Sequence, residues 1–218
     1  MAVAREWIKR LGVLGLLLVL SSCYIPDKFR SELRLSRYGD YSISFQGDLL
    51  YVPILHEYAE GRLNDPVEAA AHEENIRRDL VRDIAFQKIE PKGRGRYSVK
   101  YERQGRLGQV QLVALIRRDA RMLALRSVEN GAILIAANSI KPSDAQAMAE
   151  LGLGMEGEFR VTTDANVVQN NATTVRDFGK YRVYVWQIEN ALSPMPHLVI
   201  LRDPDPQRPL APRVSERK

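Results

Sequence analysis

Cysteine is nearly absent: one thiol, Cys23, stands among 218 residues. No intrachain disulfide is possible, so the fold must rest on its hydrophobic core. Histidine is scarce as well. His56-Glu57 and His72-Glu73 begin like a zinc-protease motif, but four residues on stand Glu60 and Ile76, and His197 lies far away. The spacing that puts two ligands on one helical face is missing, so no metal is expected. No Gly-x-Ser-x-Gly elbow occurs, and no glycine-rich loop joins a strand to a helix. Gly93-Arg94-Gly95 is too short and too basic for a nucleotide loop and reads as a turn. Neither sign of charge dominates: 32 Lys+Arg stand against 27 Asp+Glu, a net +5. That is a mixed, solvated surface and no nucleic-acid footprint. Long apolar runs are missing too. Between Arg10 and Asp27 lie 16 uncharged residues, about 24 Å of helix against a bilayer core of about 30 Å. The absences together leave no enzyme chemistry and no cofactor to expect.

What is present is concentrated at the N-terminus. Arg5, Lys9 and Arg10 precede an apolar stretch, Leu11 to Leu20, and Leu20-Ser21-Ser22-Cys23 follows it. The arrangement resembles a bacterial lipoprotein signal peptide with its lipobox. The resemblance implies diacylglyceryl transfer to the Cys23 thiol, cleavage between Ser22 and Cys23, and palmitate-type acylation of the new N-terminus. Two or more acyl chains hold a protein to a membrane stably where one does not. Tyr24 stands where an aspartate would signal inner-membrane retention, which favours the outer membrane. Removing residues 1–22 leaves 29 Lys+Arg against 26 Asp+Glu, a net charge of about +3 and too mild to define a partner.

The remaining chain reads as one domain over 23–202 with a Pro-rich tail over 203–218, expected to be disordered. Residues 24–30 read as a tether. Leu33/Leu35 and Tyr41/Ile43/Phe45 alternate with polar residues around Tyr38-Gly39-Asp40, which predicts a β-hairpin. A helix is expected from about Tyr51 or Pro53 to Leu63. A second starts at Asp65 as N-cap with Pro66 and Glu68 behind it, carrying Ile76, Leu80 and Ile84 inward and Glu73/Arg77 and Glu74/Arg78 pairs outward. Strands return from about Ala85, with Glu129-Asn130-Gly131 as a hairpin turn. Pro142 opens a short helix that Gly152 ends, and strands follow over 158–164, 181–188 and 197–201. Grouped helices predict an α+β fold, a curved antiparallel sheet with its helices packed on one face. Trp186 reads as core, and Asn171 as a turn residue after the Asp164-to-Asn166 bend. Arg117, Arg118 and Arg121 cluster at a turn. The carboxylate pairs Asp203/Asp205 and Glu73/Glu74 fall in the tail and on a salt-bridged helix face.

Gly157-Glu158-Phe159-Arg160-Val161-Thr162-Thr163-Asp164, the valine pair Val167-Val168, Asn170-Asn171-Ala172 and then Tyr184-Val185-Trp186-Gln187-Ile188 form a further pattern. With the opening hairpin at Tyr38-Gly39-Asp40-Tyr41, it resembles uncharacterised proteobacterial lipoproteins and, more distantly, the LppM-type lipoproteins of actinobacteria. The resemblance implies an α+β envelope domain and supplies no catalytic residue. The expected function is therefore a non-catalytic, lipid-anchored envelope protein facing the periplasm, with a protein-interaction or assembly-support domain. The alternative is a carrier or sensor holding a lipid-like apolar ligand between sheet and helices.

Overall fold

The computed structural model describes residues 24–108, 111–116, 121–128, 131–150 and 152–204. The lipobox with Ser22 and Cys23, the signal segment 1–22, Arg117, Arg118, Glu129, Asn130 and the tail from residue 205 lie outside the described residues. Strand β1 (Tyr24–Leu35) pairs antiparallel with β2 (Asp40–Tyr51). Gly39 closes the turn at φ +90, and Ser36 Oγ accepts from the backbone N–H groups of Tyr38 and Asp40.

The expected tether over 24–30 is therefore strand. Tyr24, Ile25 and Phe29 are all buried. The register slips between Asp27 and Arg30, where Lys28 takes φ +47. This bulge breaks the period-2 pattern and hides the strand from a reading of alternation.

Helix α1 (Val52–Ala59) follows β2, and α2 (Pro66–Val81) follows α1. The Asp65 carboxylate accepts from Val67 N–H at 2.7 Å, the cap expected from the sequence. Helix α1 stops short of Leu63, and α2 stops before Ile84, which is 94% exposed rather than inward. Strands β3 (Phe86–Gly93) and β4 (Arg96–Arg106) form the next hairpin. Then come β5 (Leu112–Ile116), β6 (Arg121–Ser127) and β7 (Ala132–Ala136), with Gly131 at φ +78 before β7. Helix α3 (Pro142–Glu150) is followed by Gly152 at φ +67, the left-handed stop its sequence predicts. The chain closes with β8 (Gly157–Thr163), β9 (Asn166–Asn170), β10 (Thr174–Phe178), β11 (Tyr181–Ile188) and β12 (His197–Leu201).

Strands dominate, and they form two open sheets rather than one. The first has seven strands in the order β10-β11-β8-β1-β2-β4-β3, the second five in the order β5-β6-β7-β12-β9. The first is not purely antiparallel, because β1 pairs in parallel with β8 across Phe29↔Gly157 to Leu35↔Thr163. One face of the large sheet carries Leu33, Ile43, Phe45, Tyr97, Phe159, Val161, Tyr184 and Trp186, all buried. These join Leu123, Leu125, Ile133, Ile135, Leu198 and Ile200 of the small sheet in one cluster. Each such side chain contributes about 1.5–3 kcal/mol on full burial. The other face shows Arg30, Glu32, Ser44, Lys100, Glu102 and Arg160, which gives the in/out alternation of a half-solvated sheet. Helix α2 sends Leu80 into the same cluster, and the Tyr97 hydroxyl donates to the Glu73 carbonyl at 2.8 Å.

Candidate functional site

Two ends of the large sheet carry features that the core does not use. The first surrounds Tyr24, where β1 begins. Tyr24 pairs with Tyr51 across the hairpin, ring centroids 5.1 Å apart. Tyr51 N–H donates to the Gly95 carbonyl at 2.9 Å, which ties the β3–β4 turn to this end. Gly93, Arg94 and Gly95 all have positive φ there, at +81, +51 and +70. A Cβ on Gly95 would collide with the Ile54 side chain of α1, so only glycine fits under that helix. The Gly95 N–H and the Tyr58 hydroxyl both donate to Glu73 Oε1, at 3.2 and 2.9 Å. Beside the turn lies an open cleft of ≈ 590 Å³. Leu50, Leu55 and Leu153 line its apolar side, and Lys92, Arg94 and Arg96 its charged side.

Arg96 is committed to the fold. Its Nη1 sits 2.8 Å from Asp27 Oδ2 and 3.1 Å from Asp48 Oδ2. Asp27 is 3% exposed and also accepts from Glu156 N–H. Asp27 and Asp48 face each other across β1 and β2, a like-charge pair that needs a cation between them. Both carboxylates raise the Arg96 pKa, Asp27 most, against the effect of burial. Arg94 makes no ion pair among the described residues, and Lys92 reaches only Glu90, at 4.0 Å.

The second end is about 12 strand residues away, roughly 40 Å at strand rise. There Leu35 pairs with Thr163 and Thr163 with Arg182, and β10–β11 runs on past them to Phe178↔Tyr181. Strand β10 forms the edge of the sheet, and all its residues are exposed. Phe178 is 76% exposed, Val175 46% and Tyr181 39%. The Arg37 backbone N–H and Nε donate to Asp164 at 2.8 and 3.0 Å. Burial pushes the Asp164 carboxyl up, but these two bonds outweigh it and hold the group below its usual range. Asp203 N–H donates to the Arg37 carbonyl at 2.8 Å. The chain expected to leave the fold at Asp203 is thus still bound there.

Between the sheets stands Asn171. Its Oδ1 accepts from Trp186 Nε1–H at 2.7 Å and from His197 N–H at 2.8 Å, and its Nδ2 donates to the Met195 carbonyl at 2.9 Å. The sequence marks Asn171 as a turn residue, whereas it links β11 of one sheet to β12 of the other. The histidines do not converge. His56 faces Glu60 at 3.5 Å, His72 faces Glu57 at 3.3 Å, and His197 begins β12. Among the described residues no three His, Cys, Asp or Glu side chains group to hold a metal. Glu74 takes both Arg77 and Arg78. The Arg77 hydrogen bond, helped by Arg78, holds it down at about 2 against burial. The expected Glu73/Arg77 pair does not form, because Glu73 is turned to the β3–β4 turn. The ties of Arg96 and Arg37 have no local signature; Arg37 and Asp164 are 127 positions apart. No helix among the described residues is long and apolar enough to cross a membrane.

No family model matches the chain, and no curated relative is found from its sequence. Among solved structures it is similar to the NMR structure of the folded domain of LppM from Mycobacterium tuberculosis, at 10% identity and a TM-score of 0.41. The likeness covers 85% of this chain and 95% of that one. It is a distant structural similarity and carries no ligand, partner or chemistry across.

Proposed function

We propose that this is a non-catalytic, lipid-anchored envelope protein that docks another protein along the edge strand β10. The anchor is Cys23, acylated and cleaved from Ser22 in the lipobox, with the domain facing the periplasm and the outer membrane favoured by Tyr24. The observation that carries the docking reading is the edge itself. Natural sheets protect exposed edges, and an edge that carries exposed apolar side chains offers a partner strand both backbone hydrogen bonds and pockets. Here Val175 and Phe178 sit on such an edge, with Tyr181 beside them, at the end of the sheet farthest from Tyr24. The partner this suits is an extended segment with apolar residues on both of its faces, because Val175 and Phe178 point to opposite sides of the sheet. A carrier reading is favoured by the cleft beside α1, but that cleft is open and three of its ten lining residues are cations. The space between the sheet and α2 is filled by Leu80, Ile76 and Tyr97.

A photo-crosslinking residue at Phe178, in living cells, is expected to capture one partner, and the same residue at Lys100 on the polar face none. Val175→Lys with Phe178→Lys should abolish a partner's co-purification while leaving the Tm within about 2 °C, since both side chains are exposed. Equal capture at both positions, or co-purification unchanged in the double variant, would remove the docking reading. Separately, Cys23→Ala should leave an unacylated precursor that still carries residues 1–22. A normally processed chain in that variant would refute the lipobox.

A further inference from the structure

We infer that the end of the domain around Tyr24 rests on an anionic bilayer surface, with Arg94 and Lys92 meeting lipid phosphates. This rests on the proposed acylation of Cys23. The first argument is reach. Cys23 directly precedes Tyr24, and consecutive Cα atoms are 3.8 Å apart. Tyr24 is already buried and paired with Tyr51 in the sheet. Strand β1 occupies residues 24–30, where the sequence predicts a tether. An acyl chain on Cys23 thus leaves no linker, and the groups around Tyr24 must lie at headgroup level.

The second argument is what those groups are. The β3–β4 turn is tied to this end by the Tyr51-to-Gly95 hydrogen bond. It is held from below by Glu73 and by Ile54, against which only glycine fits. Arg94 is therefore displayed on a fixed turn. Most acids nearby are engaged, Asp27 and Asp48 with Arg96, Glu73 with Gly95 and Tyr58, Glu60 with Arg62 and His56, while exposed Glu156 has no ion pair among the described residues. Arg94 makes no ion pair among the described residues, and the one carboxylate partner of Lys92 lies at the outer limit of an ion pair, so these two cations are the ones at this end available to a phosphate. Leu55 and Leu153, both half-buried, adjoin these cations and suit the apolar boundary below a phosphate layer.

The test uses the mature chain purified from membranes and placed in nanodiscs, either phosphatidylcholine alone or with about three parts in ten phosphatidylglycerol. Intact mass reports the acyl group, and hydrogen exchange reports the peptide 91–96. Exchange there should slow about five-fold or more on the anionic discs, the scale set by one cation held at an anionic surface. Lys92→Glu with Arg94→Glu should remove the difference, and Arg94→Lys should keep most of it. Exchange in β4 beyond Arg96 should be the same throughout, which shows that the domain is folded. Equal exchange of 91–96 on both discs in the wild-type chain overturns the inference whatever the variants do. If the mass carries no acyl group, the anchor reading falls by itself. The unacylated chain added to vesicles of the same two compositions then decides: charge-dependent slowing of 91–96 keeps the surface, and its absence overturns it.

Discussion

Arg96→Met is expected to cost the domain about 3–5 kcal/mol, because it strips the cation from a buried carboxylate. Asp27 is 3% exposed, so it cannot turn to water when Arg96 leaves. It would keep only the bond from Glu156 N–H and would face Asp48 across the hairpin with nothing between them. In a domain of this size the loss should lower the Tm by roughly 10 °C. The opposite truncation should be milder. Asp48→Asn leaves the 2.8 Å contact of Arg96 with Asp27 intact, and the Arg96 side chain is 29% exposed and can draw on water. The decisive variant is the pair. Asp27→Asn added to Arg96→Met neutralises the stranded charge and should recover more than half of the loss. Urea melts of the four proteins measure this directly. An Arg96→Met chain within about 1 kcal/mol of wild type, the range of exposed ion pairs, would show that the network is only surface charge.

The Arg96 network also marks where sequence reasoning stops. Period-2 alternation locates β1 and β2 only where both are regular, over Leu33–Leu35 and Tyr41–Phe45. It fails over Tyr24–Arg30, where the bulge at Asp27–Lys28 shifts the phase and Asp27 is buried by a partner 69 positions away. Helix α2 is legible from its cap because Asp65 and Pro66 act within one turn. Its C-terminal end is misplaced because Ile84 continues a spacing that the chain abandons at Val81. The parallel pairing of β1 with β8 joins residues about 128 apart, and no local pattern encodes it. Strands β9 and β10 look like polar connection for a different reason. They are exposed edges, so neither has a buried side to impose alternation. The same exposure that hides β10 from the sequence makes it the docking candidate. The proposed anchor at Leu20 to Cys23 rests on sequence alone, because those residues lie outside the described part.

Asn171→Ala is the second change expected to act strongly, at about 2–4 kcal/mol, from orphaned hydrogen-bonding groups rather than lost packing. Trp186 is fully buried while Asn171 is present, so its indole N–H loses its one partner when Oδ1 is removed and must then draw on water through the exposed place that Asn171 vacates. The His197 N–H and the Met195 carbonyl lose their partners in the same step. Asn171→Asp separates the contributions. It keeps the acceptor for Trp186 and His197 but sets a carboxylate oxygen against the Met195 carbonyl, so it should fall between wild type and alanine. Trp186→Phe should cost part of its own, since the smaller ring leaves space in the core. In the Asn171→Ala background it should cost much less, because the unpaired indole N–H is then gone. A coupling of about 1 kcal/mol or more between the two sites is expected from circular-dichroism melts. Additive losses would mean that Asn171 is not coupled to Trp186 and does not join the sheets. Asn171 also stands between β9 and β10. If it holds both sheets, its loss should raise hydrogen exchange in β9 and β10 together while the β1–β2 hairpin stays protected.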